Sequence, residues 1–353
     1  MSTQIFQIAR YLRPRKFKDV IGQEMAVKIV HGALYHNRML PVCILHGPSG
    51  VGKTTIARLI AMWFCCENHI DDEPCGTCTQ CIDIINDAHP DVFELDGGAY
   101  TGVDDIREML TNLEYQTVIA QKRIYIIDEA HMLSKHAMTC LLKRFEEPMA
   151  HVQFILATTH VEKLPDTMIS RSFRVSLSDI STIHIYSRLE QICNDNEMQY
   201  DTEALHMLAQ YSYGSMRQAL SSLEQINVLN TDKKISVINI EKMFGLMSHD
   251  VLQKIIDGIV SQDMQAVSQL MTHLLHTNPV TVVSQILEKI RMMSKSEYLL
   301  NFAYSLAESS LVLHKVPFAR DLLEICILRA MLMHMRPINA ELTINPERSC
   351  DIK

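Results

Sequence analysis

Residues 42–55, VCILHGPSGVGKTT, constrain this chain more than any other stretch. Val42, Cys43, Ile44 and Leu45 form a short apolar run that reads as a buried parallel strand. It enters Gly47-Pro48-Ser49-Gly50-Val51-Gly52-Lys53-Thr54, which satisfies G-x-x-x-x-G-K-[ST] at every position. An amphipathic run over residues 55–64, starting at Thr55, is expected to be the helix that follows. Strand, loop and helix in that order identify a phosphate-binding loop. Glycines 47, 50 and 52 let the backbone curl so that several N–H groups face one anion, with a helix N-terminus behind them. Lys53 can then reach the β- and γ-phosphates of a nucleotide, and the Thr54 hydroxyl can ligate Mg²⁺. The bland alternative is a glycine turn before a helix. Chance supplies the whole pattern in about one chain per hundred of this length, and the flanks make it rarer.

With 353 residues the chain has room for two or three domains. Its hydrophobic content of 47% and charged content of 21% support full cores and exclude a disordered protein. A net charge of −8 argues against broad coating of nucleic acid but allows a local basic face. The N-terminal MSTQIFQIARYLRPRKFK is charged and lacks a long apolar core, so no export signal is expected. The most apolar late segment, residues 322–333, is interrupted by Glu324 and Arg329 and is too short to span a bilayer. Ten cysteines in such a chain are expected to be metal ligands or buried thiols in a cytosolic compartment.

Four of those cysteines stand out. Cys66-ENHIDDEP-Cys75-GT-Cys78-TQ-Cys81 has the spacing of a closed tetrahedral thiolate site for a structural Zn²⁺. Pro74 and Gly76 supply the bends that let the sulfurs converge. Cys65 competes with Cys66 for the first position, and one of the two should be spare; a redox Cys-x-x-Cys and unligated thiols are the alternatives. Upstream, residues 10–24 mix five basic residues with a proline and read as a solvated arm leading to a helix at 24–37.

Further strands are expected at 91–96, 123–128, 152–159 and 173–177, with a helix from about Val103. The strand Arg123-Ile-Tyr-Ile-Ile-Asp128 ends in two acids. Asp128 can hold Mg²⁺ at the loop mouth, and Glu129 can orient and deprotonate an attacking water. The fourth strand ends in Thr158 and Thr159, on the sheet edge where ligands bind in parallel sheets. From residue 179 strand signals fade into helical periodicity, with helices at 183–194, 202–211, 216–229, 250–262, 264–276, 280–293, about 297–314, and 318–335. Ser215 is expected to cap the helix at 216, and the methionines at 292, 293, 331, 333 and 335 to be ordinary core.

Taken in order, these motifs carry a resemblance: Tyr11-x-Arg13-Pro14, Phe17-x-Asp19-Val20-Ile21-Gly22-Gln23-Glu24, GPSGVGKT, the four cysteines, IIDEAHML, FILATT, SRS and GSMRQAL. The chain closely resembles the bacterial DNA polymerase III gamma/tau family, the AAA+ motor subunits of the sliding-clamp loader, over about residues 9–220. Residues 323–330 look like the family's last collar helix. The resemblance implies an α/β then all-α fold: an AAA+ P-loop NTPase core (1–178) with a parallel five-stranded sheet and a zinc-binding insert (66–81), a helical lid (179–243) and a helical collar (244–353). It implies that the arm from Arg13 to Glu24 wraps the adenine and that Cys66, not Cys65, joins Cys75, Cys78 and Cys81 on zinc. It further implies Thr159 as first sensor, Arg217 as second sensor on the lid, and Arg171 as the finger reaching a neighbouring subunit's γ-phosphate.

The activity it implies is ATP hydrolysis, with Mg²⁺, that loads the sliding clamp (beta) onto primed DNA, in a cytoplasmic, nucleoid-associated complex with delta, delta-prime and other gamma/tau copies and no membrane. Three departures are visible: Ser172 where the family has Cys, Gln218 where Asp is usual, and a loop at 96–104 without Lys or Arg. DNA tracking there would rely on backbone N–H groups, Tyr100 or Thr101. The chain is also expected to lack the long tail that binds helicase and polymerase. The rival expectations are a non-hydrolysing delta-prime-like subunit and a stand-alone AAA+ DNA-remodelling motor. No second carboxylate set suits a polymerase, so that label would belong to the holoenzyme.

Overall fold

The structure is a computed structural model that describes residues 12–99, 109–111, 113–229, 234–272, 277–293, 296–313 and 319–334. Five parallel strands form the central sheet: β1 (Val42–His46), β2 (Val92–Asp96), β3 (Arg123–Asp128), β4 (Val152–Thr158) and β5 (Phe173–Ser176). Their order is β2-β3-β4-β1-β5, so β4 separates the strand leading into the phosphate loop from the strand ending in Asp128. All seven residues of β4 and Val42–Leu45 of β1 are buried, as expected of strands covered on both faces. Helices α1 (Glu24–Tyr35), α2 (Lys53–Cys65) and α3 (Thr79–Ile85) share one apolar core with the sheet. The other face packs on α4 (Lys135–Glu146) and α5 (Asp166–Ser170). On that face Phe93, Tyr125 and Phe154 occupy paired register positions and stack in a row, with ring centroids 5.0 and 5.6 Å apart.

The five expected strands are all present, each within a residue of its expected ends. The helices at 79–85, 135–146 and 166–170 went unread, although Ser134 caps the second by accepting from the Ala137 N–H at 3.2 Å. The start of the helix expected near Val103 lies outside the described residues, as do Tyr100 and Thr101. After β5 come α6 (Thr182–Asp195), α7 (Thr202–Gln210) and α8 (Met216–Leu229). The expectation of helices alone in this region needs correcting. β6 (Gln199–Tyr200) and β7 (Lys234–Ile235) pair in parallel, as two-residue strands too short for any periodicity to register.

The chain forms two compact units, Met1–Ser236 and Val237–Lys353, so α6–α8 lie in the same unit as the sheet. The second unit contains α9 (Val237–Phe244), α10 (His249–Ser261), α11 (Met264–Thr272), α12 (Pro279–Met292), α13 (Glu297–Leu313) and α14 (Ala319–His334). Its core is built on Ile255, Ile259, Ile286, Phe302, Leu306 and Ile327. Buried Gln285 stays satisfied by accepting from the Met247 N–H (2.9 Å) and donating to its carbonyl (3.2 Å). The methionines need a correction too: Met331 is fully buried, but Met292 and Met333 are 70% and 61% exposed. Met335 lies outside the described residues.

Asp91, just before β2, is fully buried and accepts from the backbone N–H groups of Val118, Ile119 and Ala120 at 2.8–3.0 Å. Burial alone would raise its pKa; those donors, with Arg123, outweigh it and hold the carboxyl below its ordinary value. Because the folded-state value is the lower one, the stabilisation is complete above the unfolded pKa near ~3.9 and is lost as pH falls through the folded value. Asp91→Ala is therefore expected to cost about 3–5 kcal/mol at neutral pH. That deficit should shrink in acid, where wild type also loses the interaction; urea unfolding at pH 7 and pH 3 checks both.

Candidate functional site

The loop after β1 is shaped by what touches it. Gly47 has φ 151°, and a Cβ there would overlap the Leu177 carbonyl oxygen. Gly50 has φ 77°, and a Cβ there would strike the Ser215 hydroxyl at the start of α8. Gly52 is left-handed and caps α2, so the helix begins at Lys53, two residues before the expected Thr55. The Arg217 N–H donates to the Gly50 carbonyl (3.3 Å), which holds the first turn of α8 against the loop.

A cavity of about 610 Å³ opens here, lined by Ser49 to Thr55, by Asp128, Glu129 and Arg217, and by the arm residues 12–14 and 19–21. Buried Lys53 donates through Nζ to the carbonyls of Gly47 (2.8 Å) and Pro48 (2.7 Å). Burial lowers its pKa, Glu129 and Asp128 oppose that, and Arg217 adds to it. The Thr54 hydroxyl donates to Asp128 Oδ2 at 2.7 Å, although the two residues sit on α2 and at the end of β3. A hydroxyl and a carboxylate brought together are the hard oxygen donors that suit Mg²⁺.

Glu129 is left-handed (φ 45°, ψ 45°), an unfavourable conformation for such a residue and one that clusters at functional sites. Its Oε2 accepts from the Thr159 hydroxyl at 3.1 Å. Thr159 thus sits one residue past the end of β4 and touches Glu129 while remaining outside the cavity lining.

His131 is a residue the sequence reading passed over. Its Nδ1 is 3.0 Å from Thr158 Oγ1 and 3.4 Å from Glu129 Oε2, and its ring packs edge-on against His160 at 4.9 Å. Burial lowers its pKa against the pull of Glu129, with His160 and Lys163 adding to the lowering.

The other end of the cavity is built by the arm that the resemblance expects to wrap the adenine. Leu12, Pro14, Ile21 and Ile180 line it with Arg13, Arg58 and Arg188. Arg13 Nη1 is buried and has no hydrogen-bond partner among the described residues, so this wall offers a donor to a polar ligand. Gln23 fixes the arm: its Nε2 donates to the Ser178 carbonyl (2.6 Å) while its Oε1 accepts from the Ser178 N–H (3.2 Å).

Arg171 stands apart. It caps α5 outside the cavity, is 45% exposed, faces Glu146 at 3.4 Å and donates to the Thr167 carbonyl at 3.2 Å. The Gln218 N–H donates to Ser215 Oγ (3.3 Å), so Ser215 caps α8 as expected. The Gln218 amide in turn reaches Ser222 (3.5 Å) along its own helix.

Cys66, Cys75, Cys78 and Cys81 come together with all four sulfurs within 4.8 Å of one another. Zinc–sulfur bonds of ~2.3 Å put the corners of a tetrahedron about 3.8 Å apart, so the set fits zinc. The Thr77 and Cys78 N–H groups donate to Cys75 Sγ at 3.4 and 3.2 Å, and the Cys75 N–H donates to Cys66 Sγ at 3.3 Å. Burial would raise the Cys75 thiol, but the Thr77 and Cys78 donors pull it to about 6, favouring the ligating thiolate. Cys65 stands outside this set, and burial pushes its thiol up to about 12.

A phosphate loop on β1, the acid pair after β3 and a helical segment meeting the loop at Gly50 place the chain among AAA+ nucleotide-binding proteins. Its fold agrees: the Thermotoga maritima RuvB Holliday junction branch migration motor superposes with a TM-score of 0.51 at 18% identity, covering 81% of this chain and 94% of that one. Residues 22–181 match the family described as DNA polymerase III, delta subunit. Residues 184–226 match the DNA polymerase III clamp loader subunit ATPase lid domain. The gamma subunit of Buchnera aphidicola subsp. Acyrthosiphon pisum is 37% identical over 72% of this chain and 71% of its own length. The tau subunit of Salmonella typhimurium is 36% identical over 76% of this chain, a match that spans 42% of that longer protein. The chain belongs to the DNA polymerase III gamma/tau family.

Proposed function

We propose that this chain is an ATP-driven motor subunit of a sliding-clamp loader, working with delta, delta-prime and further gamma/tau copies to place the beta clamp on primed DNA. The observation that carries the motor reading is the pairing of Thr54 with Asp128 at 2.7 Å beside a Glu129 held by Thr159 at 3.1 Å. A subunit that only shared the fold would have no need to keep these contacts. Mg²⁺ held by Thr54 and Asp128 would supply charge neutralisation on the phosphates. Lys53 would exchange the Gly47 and Pro48 carbonyls for phosphate oxygens, and Glu129 would accept the proton of the attacking water. Thr159 sets the Glu129 carboxylate, Arg217 brings the lid (179–243) onto the nucleotide, and a neighbour's Arg171 completes the site. Residues 244–353 would form the collar joining subunits, with the four-thiol insert holding a structural zinc. A bacterial cytoplasmic setting follows from this role.

Lys53→Ala is expected to weaken binding of a fluorescent ATP analogue at least tenfold, because the loop loses its only buried ammonium. Titration with and without Mg²⁺ reads this. Undiminished, metal-independent affinity in the variant would end the motor reading. The delta-prime-like alternative draws on the match of residues 22–181 to a delta-subunit family. It expects no nucleotide affinity even in wild type, so the same titration decides between them.

A further inference from the structure

The four-thiol insert and the nucleoside end of the cavity are joined by one side chain. Glu73 lies two residues before Cys75 and is only 8% exposed. Its Oε2 accepts from the Phe17 N–H at 2.7 Å and its Oε1 from the Lys18 N–H at 3.0 Å. Those two N–H groups open the short 3-10 turn Phe17–Asp19, whose own N-cap, Lys16, makes no side-chain cap bond. A carboxylate that satisfies both donors serves as the cap of a turn 55 residues away in sequence. The residues on either side of that turn, 12–14 and 19–21, line the cavity. The clamp therefore holds the middle of the arm whose two flanks form the wall.

Two further contacts fasten the same piece of the insert. The Asp72 carbonyl accepts from His31 Nε2 at 2.6 Å, and the His31 ring packs edge-on against Phe17 (5.7 Å) and Trp63 (5.5 Å). Glu73 is itself placed by the cluster. Ile70 and Glu73 exchange backbone hydrogen bonds at 3.0 and 3.1 Å, inside a loop closed where the Cys75 N–H meets Cys66 Sγ.

We propose that Glu73 is a positioning residue that makes nucleotide affinity depend on an intact thiol cluster. The proposal rests on the reading of the cavity as a nucleotide site. With Glu73 truncated or the cluster stripped of metal, the arm loses its anchor. The phosphate loop keeps its own contacts: the side chains of Lys53, Thr54 and Asp128 bond to one another, to the carbonyls of Gly47 and Pro48 and to the Glu129 N–H, and the bond from Gln23 Nε2 to the Val51 carbonyl (3.4 Å) lies beyond the turn that Glu73 caps.

The test compares two probes, a fluorescent ATP analogue and inorganic tripolyphosphate, both with Mg²⁺, on wild type, Glu73→Ala, Glu73→Gln and chelator-treated wild type. Glu73→Ala is expected to bind the nucleotide about tenfold more weakly, a change of ~1.4 kcal/mol, with tripolyphosphate affinity unchanged. Glu73→Gln, which retains one carbonyl acceptor, should fall between, and chelation should reproduce Glu73→Ala. Amide exchange over residues 12–21 should quicken in Glu73→Ala and in the chelated chain. Equal nucleotide affinity in wild type and Glu73→Ala, parallel loss of both probes, or unchanged exchange would each overturn the coupling. A wild-type chain that binds no nucleotide overturns the reading of the cavity, and the coupling with it. A wild-type chain that binds it, matched by Glu73→Ala, overturns the coupling alone.

Discussion

Arg171→Ala is expected to leave nucleotide affinity unchanged while lowering ATP hydrolysis by the assembled complex by about 10³–10⁵-fold. The expectation comes from where the residue sits. Arg171 is outside its own chain's cavity and 45% exposed, and among the described residues it has a surface ion pair to Glu146 at 3.4 Å and one carbonyl contact. Such pairs are worth ~0–1 kcal/mol, so little opposes turning the guanidinium toward an adjoining protomer. The serine at 172, a position where the resemblance leads to an expected cysteine, is accommodated locally: its hydroxyl donates to the Ile169 carbonyl at 2.8 Å and closes the same turn. Steady-state hydrolysis and analogue binding, measured side by side on complexes reconstituted with delta and delta-prime, check both halves. Full turnover by the Arg171→Ala complex would remove the trans role.

Loss of one cluster thiol should have the largest effect on stability. Cys81→Ser is expected to abolish stoichiometric zinc and to lower the melting temperature of the chain by ten degrees or more, on the order of what losing several kcal/mol does to a unit of this size. Structural zinc sites in small domains carry apparent binding energies of ~10–16 kcal/mol, and the fourth sulfur is needed to close the tetrahedron. Cys81 is fully buried against Ile84 and the α2 side of the core, so its polar replacement has no water to turn to. Cys65→Ser is the control: it stands next to Cys66 in sequence but outside the cluster, and zinc content should persist. Elemental analysis with calorimetry reads both variants. Retention of one zinc per chain by Cys81→Ser would refute the tetrahedral assignment.

Gln218 makes its side-chain contact within the lid helix. Its amide reaches along its own helix to Ser222, and the contact with the phosphate loop is made by the Arg217 backbone and by the close approach of Ser215 to Gly50.

The phosphate loop, the acids after β3 and the cysteine spacing were legible because each is local: a few consecutive residues whose chemistry needs one another at fixed separation. Strands β1, β3 and β4 were legible because burial leaves continuous apolar runs, and the partly exposed edge strands β2 and β5 because apolar and polar residues alternate along them. Tertiary structure alone decided the rest. Gln23, His131 and Glu73 carry no local signal of their contacts, since their partners lie 27 to 155 residues away. The Phe93–Tyr125–Phe154 stack likewise depends on register, which strand pairing sets. An isolated glutamate before a cysteine is only a charged loop residue until the fold removes it from water and leaves two backbone donors as its partners.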